Sequence, residues 1–131
     1  MRISIDSKQI VDNVVNKTKE VYECNYKYLN NKHIVSYIEN SEDGDTRVII
    51  RFNHDEVVIK KKGVTNTEMQ FKKKEITTVD YRTPMGALIM EFSTSGISLL
   101  ESDGSITLGL KYDIIMDGNV ISNNKISINI L

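Results

Sequence analysis

The sequence predicts an all-β fold: a single domain over residues 1–131, built as an antiparallel up-and-down β-barrel of about 8–10 strands. Three observations predict it. Apolar and polar residues alternate with period two along most of the chain, the spacing that puts successive side chains on opposite faces of a strand. There are 18 isoleucines and 11 valines against one alanine, and β-branched side chains fit pleated surfaces better than helices. Turn-forming pairs recur at roughly 8–12-residue spacing, too close for crossover helices and right for hairpins. Closing such a meander removes its exposed edges.

Taken in order, Ile3 and Ile5 lie on one face of an opening strand. Residues 7–17 place Ile10, Val11, Val14 and Val15 on one helical face, yet two asparagines and three valines disfavour a helix, and a strand or irregular loop is the stronger reading. Over residues 18–28, Tyr22, Cys24, Tyr26 and Tyr28 alternate with Lys19, Glu23 and Lys27. Asn30-Asn31 marks a turn, since asparagine tolerates positive φ. A strand from His33 to Glu39 reaches an acidic turn at 41–45. Val48, Ile50 and Phe52 then oppose Arg47 and Arg51, and Asn53-His54-Asp55 turns the chain. Val57–Lys62 ends at Gly63. Met69 and Phe71 share a face of the next strand, and Ile76–Arg82 follows.

Pro84 and Gly86 form a corner: Thr83-Pro84-Met85-Gly86 reads as a β-turn with proline in its second position. A barrel-mouth loop with Met85 as an apolar lid is the functional alternative. Leu88, Met90 and Phe92 alternate beyond it. Ser95-Gly96 breaks the strand, and Asp103-Gly104 is a type I′ hairpin pair. Ile106, Leu108, Leu110, Tyr112, Ile114 and Met116 make the longest alternation. Asp117-Gly118 turns again, and Ile126, Ile128 and Ile130 end the chain.

Charge excludes some partners in bulk. The chain holds 17 basic and 18 acidic residues, so no global field draws it to nucleic acid or to an anionic membrane. Cys24 is the one cysteine, which rules out an internal disulfide and leaves a free thiol at home in the cytosol. The first residues alternate rather than run apolar, unlike a signal peptide. No apolar run reaches the roughly 18 residues of a membrane span. The cytoplasm is the expected compartment.

Gly63, Met69-x-Phe71, Tyr81-x-Thr83-Pro84-x-Gly86, Thr94, Gly104-x-Ile106 and Tyr112 follow one another in an order and spacing that resembles the YwiB-like proteins, a bacterial family of unknown function. The likeness runs from about residue 33 to the end. It implies a calycin-type, lipocalin-like barrel, a fold whose members often hold small apolar molecules. It implies no activity. One departure stands out: Lys60-Lys61-Lys62 precedes Gly63 where the family pattern calls for an arginine, and lysine lacks its planar fork of donors.

The candidate ligand-binding residues are those expected to line the interior: Tyr22, Tyr26, Tyr28, Met69, Phe71, Tyr81, Met90, Phe92 and Tyr112. An eight-stranded barrel has room inside for packed side chains or one small ligand. No catalytic set, metal site or cofactor motif is expected. His33 and His54 are the only histidines, there is no nucleophile elbow, and Cys24 reads as a buried thiol. Lys60–Lys62 and Lys72–Lys74 should separate to opposite ends of a hairpin, as solvated ends, with a weak polyanion contact as the alternative. The expected function is non-enzymatic binding of a small apolar molecule inside the barrel. The alternative is an interaction module, homodimeric or partner-binding, with a filled core and outward Ile34, Ile38, Ile49, Val58 and Ile89.

Overall fold

The computed structural model describes the chain apart from Thr65 and Pro84, with the backbone alone for residues 80–83. Eleven strands lie in the described residues: β1 (Arg2–Val11), β2 (Val14–Glu23), β3 (Asn25–Leu29), β4 (Lys32–Ser41), β5 (Gly44–Phe52), β6 (Glu56–Gly63), β7 (Thr67–Lys72), β8 (Ile76–Thr83), β9 (Gly86–Ser102), β10 (Ser105–Met116) and β11 (Asn119–Ile130). All pairings are antiparallel. No helix among the described residues is long and apolar enough to cross a membrane.

The ladders form two sheets rather than one continuous cylinder. A six-stranded sheet has the order β2-β1-β11-β10-β9-β8 and a five-stranded sheet the order β3-β4-β5-β6-β7. Neighbours in the chain are neighbours in space, and β1 pairs with β11 to join the two ends. The chain passes between sheets twice. At Cys24 the extended run of tyrosines leaves β2 for β3, and the Cys24 amide donates to the Met1 carbonyl at 2.9 Å. At residues 73–75 it leaves β7 for β8. There the Lys74 amide donates to the Thr94 carbonyl at 2.8 Å and the Thr94 amide to the Glu75 carbonyl at 3.1 Å.

Residues 7–17 are neither helix nor loop: they complete β1 and start β2 around Asp12-Asn13, with φ of 49° and 65°. Asn30-Asn31 (53° and 61°) and Asp117-Gly118 (51° and 77°) share that geometry. Two successive positive φ values twist a hairpin in the sense its strands need. Asp103-Gly104 departs from the expected type I′ pair, since only Gly104, at 79°, takes positive φ. Ser95-Gly96 is no break. β9 continues through it, with Lys111 opposite Gly96 and Tyr112 opposite Thr94, so Ser95 is the extra residue of a β-bulge. At 53–56 the Asn53 side-chain oxygen accepts from the amides of Asp55 and Glu56, both at 2.9 Å.

The core lies between the sheets. Ile3, Leu108, Leu110, Ile128 and Ile130 from the larger sheet meet Val35, Val48, Ile50, Phe52 and Val57 from the smaller one, all essentially sealed from solvent. The alternation predicted each of these faces.

Candidate functional site

The expected interior residues divide into three groups. The first bridges the sheets at the β7–β8 passage. Phe71 and Phe92 stack at 5.0 Å with ring planes 6° apart, and Tyr112 tilts against both at 4.6 and 5.4 Å. Such centroid distances are those of favourable aromatic pairs. Burial pushes the Tyr112 phenol up to about 12. Met69 and Met90 are half-buried against this core. The second group is Tyr22 stacked on Tyr37 at 4.7 Å. The Tyr22 hydroxyl donates to Glu20 at 3.2 Å, and burial followed by the Glu20 charge raises its pKa to about 12.

The third group is polar and was missed in the sequence. The Tyr26 hydroxyl lies 2.7 Å from His33 Nδ1, and His33 Nε2 lies 2.5 Å from a Glu101 carboxylate oxygen. His33 is buried on β4, stacked on Phe52 at 5.0 Å, with the edge of Tyr28 at 4.9 Å. Glu101 reaches it from the far end of β9, so the chain of hydrogen bonds crosses from one sheet to the other. With Glu101 ionised, the network assigns the ring proton to Nε2, leaving Nδ1 to accept from Tyr26. Both ring nitrogens are then occupied. The order hydroxyl, imidazole, carboxylate matches a nucleophile relay, but burial, then Glu101 and Tyr28, raise the Tyr26 pKa. The arrangement is a latch between sheets.

Two expected interior residues stand apart. Tyr28 is 57% exposed, because β3 is an edge strand and its last residues run past the cover of the other sheet. The side chain of Tyr81 and the whole of Pro84 lie outside the described residues. The corner itself is visible on either side of Pro84: Thr83 pairs with Gly86, which has φ +123°. Cys24 is buried, which pushes its thiol pKa up. Of the apolar set expected to face outward, Ile34, Ile38, Ile49 and Val58 lie on adjoining strands of the smaller sheet, with Arg51 opposite both Ile34 and Val58; Ile38 is exposed, whereas Val58 is buried. Ile89 stands on the other sheet and is exposed. The lysine runs separate as expected: Lys61 pairs with Thr67 while Lys72 pairs with Glu56 at the other end of the hairpin.

Two hydroxyls, Thr67 Oγ1 and Thr94 Oγ1, are buried with no hydrogen-bond partner among the described residues. Thr94 stands opposite Tyr112, which in turn stands opposite Asn124 on β11. Asn124 is buried and donates to Ser122 at 2.9 Å. This polar corner of the interior adjoins the aromatic bridge.

The model of a domain of unknown function, DUF1934, matches residues 3–128. The chain belongs to this family. No curated protein matches it. Among solved structures, this DUF1934 chain is similar to the ywiB protein from Bacillus subtilis, with a TM-score of 0.85 and 20% identity over 98% of this chain and 87% of that one. That likeness establishes the shared fold, and the family likeness read from Gly63 to Tyr112 agrees with it.

Proposed function

We propose that the chain is a non-catalytic binding module with a filled interior, which engages its partner, or a second copy of itself, through its outer faces. One observation carries this reading. Phe71, Phe92 and Tyr112, central among the expected ligand-lining residues, pack ring against ring across the two sheets. Phe52, fully buried like Phe71 and Phe92, lies against His33. Rings packed on each other support a core role over a lining one. The two sheets then serve as the walls of a calycin-type barrel, opened along Cys24 and residues 73–75. The free, buried Cys24 is in keeping with work in the cytosol.

A second reading keeps a small, mostly apolar molecule inside. The orphaned Thr94 hydroxyl beside Tyr112 favours it, because buried polar groups are ordinarily satisfied. Native mass spectrometry of freshly purified protein, followed by solvent extraction, separates the two. A dimer or a protein complex with no small-molecule adduct is the expected result. A reproducible small-molecule adduct, lost in a Thr94→Val variant, would overturn the filled-core reading.

A further inference from the structure

Register brings together on the outer face of the six-stranded sheet four lysines that the sequence scatters. Lys17 on β2 is directly opposite Lys8 on β1. Lys8 is also opposite Lys125 on β11, and Lys125 is opposite Lys111 on β10. Three successive cross-strand pairs therefore set like charge against like charge, an arrangement that destabilises a sheet. All four side chains are exposed. Among the described residues none of them makes a salt bridge. The next row adds Lys19 against Asp6, and Asp113, the other nearby carboxylate, is held by Asn123 at 2.8 Å.

The row runs on into a hollow. Lys111 faces Gly96, and a concavity of ≈ 280 Å³ is lined by Lys73, Gly96, Ser98, Gly109, Lys111 and Lys125. Gly109 keeps it open on one side, since a Cβ there would meet Ser98 Oγ at 2.5 Å. Strands lie about 4.8 Å apart, so the lysine row spans about 14 Å. It is a linear array of unpaired cations ending in a basin.

We infer that this face docks the phosphodiester backbone of a nucleic acid, held by charge and without regard to sequence. The proposal rests on the outer-face reading above and names its partner. Charge complementarity selects an extended polyanion: a single anionic group would meet one or two of the lysines, and a strand of phosphates meets all four. None of the residues sharing this face on β2, β1, β11 and β10 is aromatic, so bases have no platform to stack on and backbone contact is the available mode. A membrane surface fits less well, because Asp12 and Asp117 sit exposed at the hairpin tips of the same sheet. Whole-chain neutrality hides the row, because the net charge sums over both sheets.

The test is fluorescence anisotropy of a labelled 20-nucleotide single strand of mixed sequence, titrated with the intact chain from 50 to 200 mM salt. Four phosphate contacts give a log–log salt slope of about −2.8, an affinity loss of about 50-fold across that range. In a Lys8→Gln/Lys125→Gln variant the slope falls to about −1.4 and the loss to about sevenfold. A Lys27→Gln/Lys62→Gln variant removes the same charge from the other sheet and keeps the wild-type slope. Circular-dichroism melting at low salt checks folding: the Lys8/Lys125 variant melts no lower than wild type, since opposed like charges have been removed. No binding at 50 mM salt overturns the proposal, as does an unchanged slope in the Lys8/Lys125 variant or an equal fall in the control. Lysine-dependent binding of anionic lipid vesicles with none of nucleic acid also overturns it. If nucleic acid fails while native spectra still show a dimer or a protein partner, the outer-face reading stands and this partner is excluded.

Discussion

Replacing Gly63 by alanine isolates a close approach that the fold depends on. Gly63 ends β6 opposite Thr46 of β5, with φ +147°. A Cβ added there would lie 2.3 Å from the Asp45 carbonyl oxygen and 2.8 Å from the Thr46 Cα. Both are backbone atoms, so no side chain can swing aside, and the ladder must part by about 1 Å to restore ordinary contact. The backbone conformation alone costs alanine about 1–3 kcal/mol. Losing one or two ladder hydrogen bonds at the end of β5 and β6 adds about 1 kcal/mol each. Alanine's lower unfolded-state entropy offsets about 0.5 kcal/mol. The expected net loss is about 3 kcal/mol, a fall of roughly 10 °C in melting temperature for a domain of this size. Gly86 supplies the control. Its φ is +123°, yet among the described residues beyond its chain neighbours nothing lies within 4 Å of an added Cβ, so Gly86→Ala should show the conformational cost without the collision, about 1–2 kcal/mol. Thermal and urea unfolding of both variants, followed by circular dichroism, measure the difference. Equal destabilisation of the two, or a wild-type melt for Gly63→Ala, would refute the close-approach argument.

Other outcomes follow from the same geometry. Tyr112 and Tyr22 hold their protons up to about pH 12, whereas an unfolded tyrosine releases its proton near 10. A raised folded pKa means that this stability is complete below about pH 10 and is lost as pH climbs toward 12. Absorbance at 295 nm should therefore show tyrosinate appearing together with unfolding in that window, and Tyr112→Phe should flatten the alkaline loss. At the latch, Glu101→Ala should cost about 1 kcal/mol in urea unfolding, because Glu101 is half-exposed and water can replace it at His33 Nε2. Glu101→Gln keeps an acceptor of the same reach and should cost less; equal losses in the two would mean that the hydrogen bond to His33 contributes nothing.

Most of the fold was legible because strands announce themselves locally. Ile3 and Ile5, Val48 to Phe52, and Leu108 to Tyr112 each declare a buried face by alternation alone, and Asn30-Asn31 and Asp117-Gly118 declare the turns. Local signals conflict in three places, and at the second and third the local reading failed. Residues 7–17 carry four apolar residues that suit a helical face, and the hairpin is decided instead by two adjacent residues, Asp12 and Asn13, that accept positive φ. Ser95-Gly96 looks like an interruption, and a bulge absorbs it while β10 holds the ladder together. Tyr28 follows the alternation of Tyr22 and Tyr26, but alternation says nothing of where the opposing sheet stops.

The candidate sites were harder to see for a different physical reason. A strand's own sequence fixes which of its residues share a face. It does not fix which residue of another strand stands opposite, and both the latch and the lysine row exist only in that second relation. Tyr26 and His33 are hairpin neighbours, but Glu101 reaches them from β9 because the two sheets face each other. Lys8 meets Lys125 because the first and last strands pair, a closure that no local signal encodes. Shifting β11 by one residue against β1 would turn Lys125 inward and Asn124 outward. It would also pull Ile128 and Ile130 out of the core. The register that buries those isoleucines is therefore the register that lines up the lysines, and the repulsion along the row is held in place by the hydrophobic core beneath it.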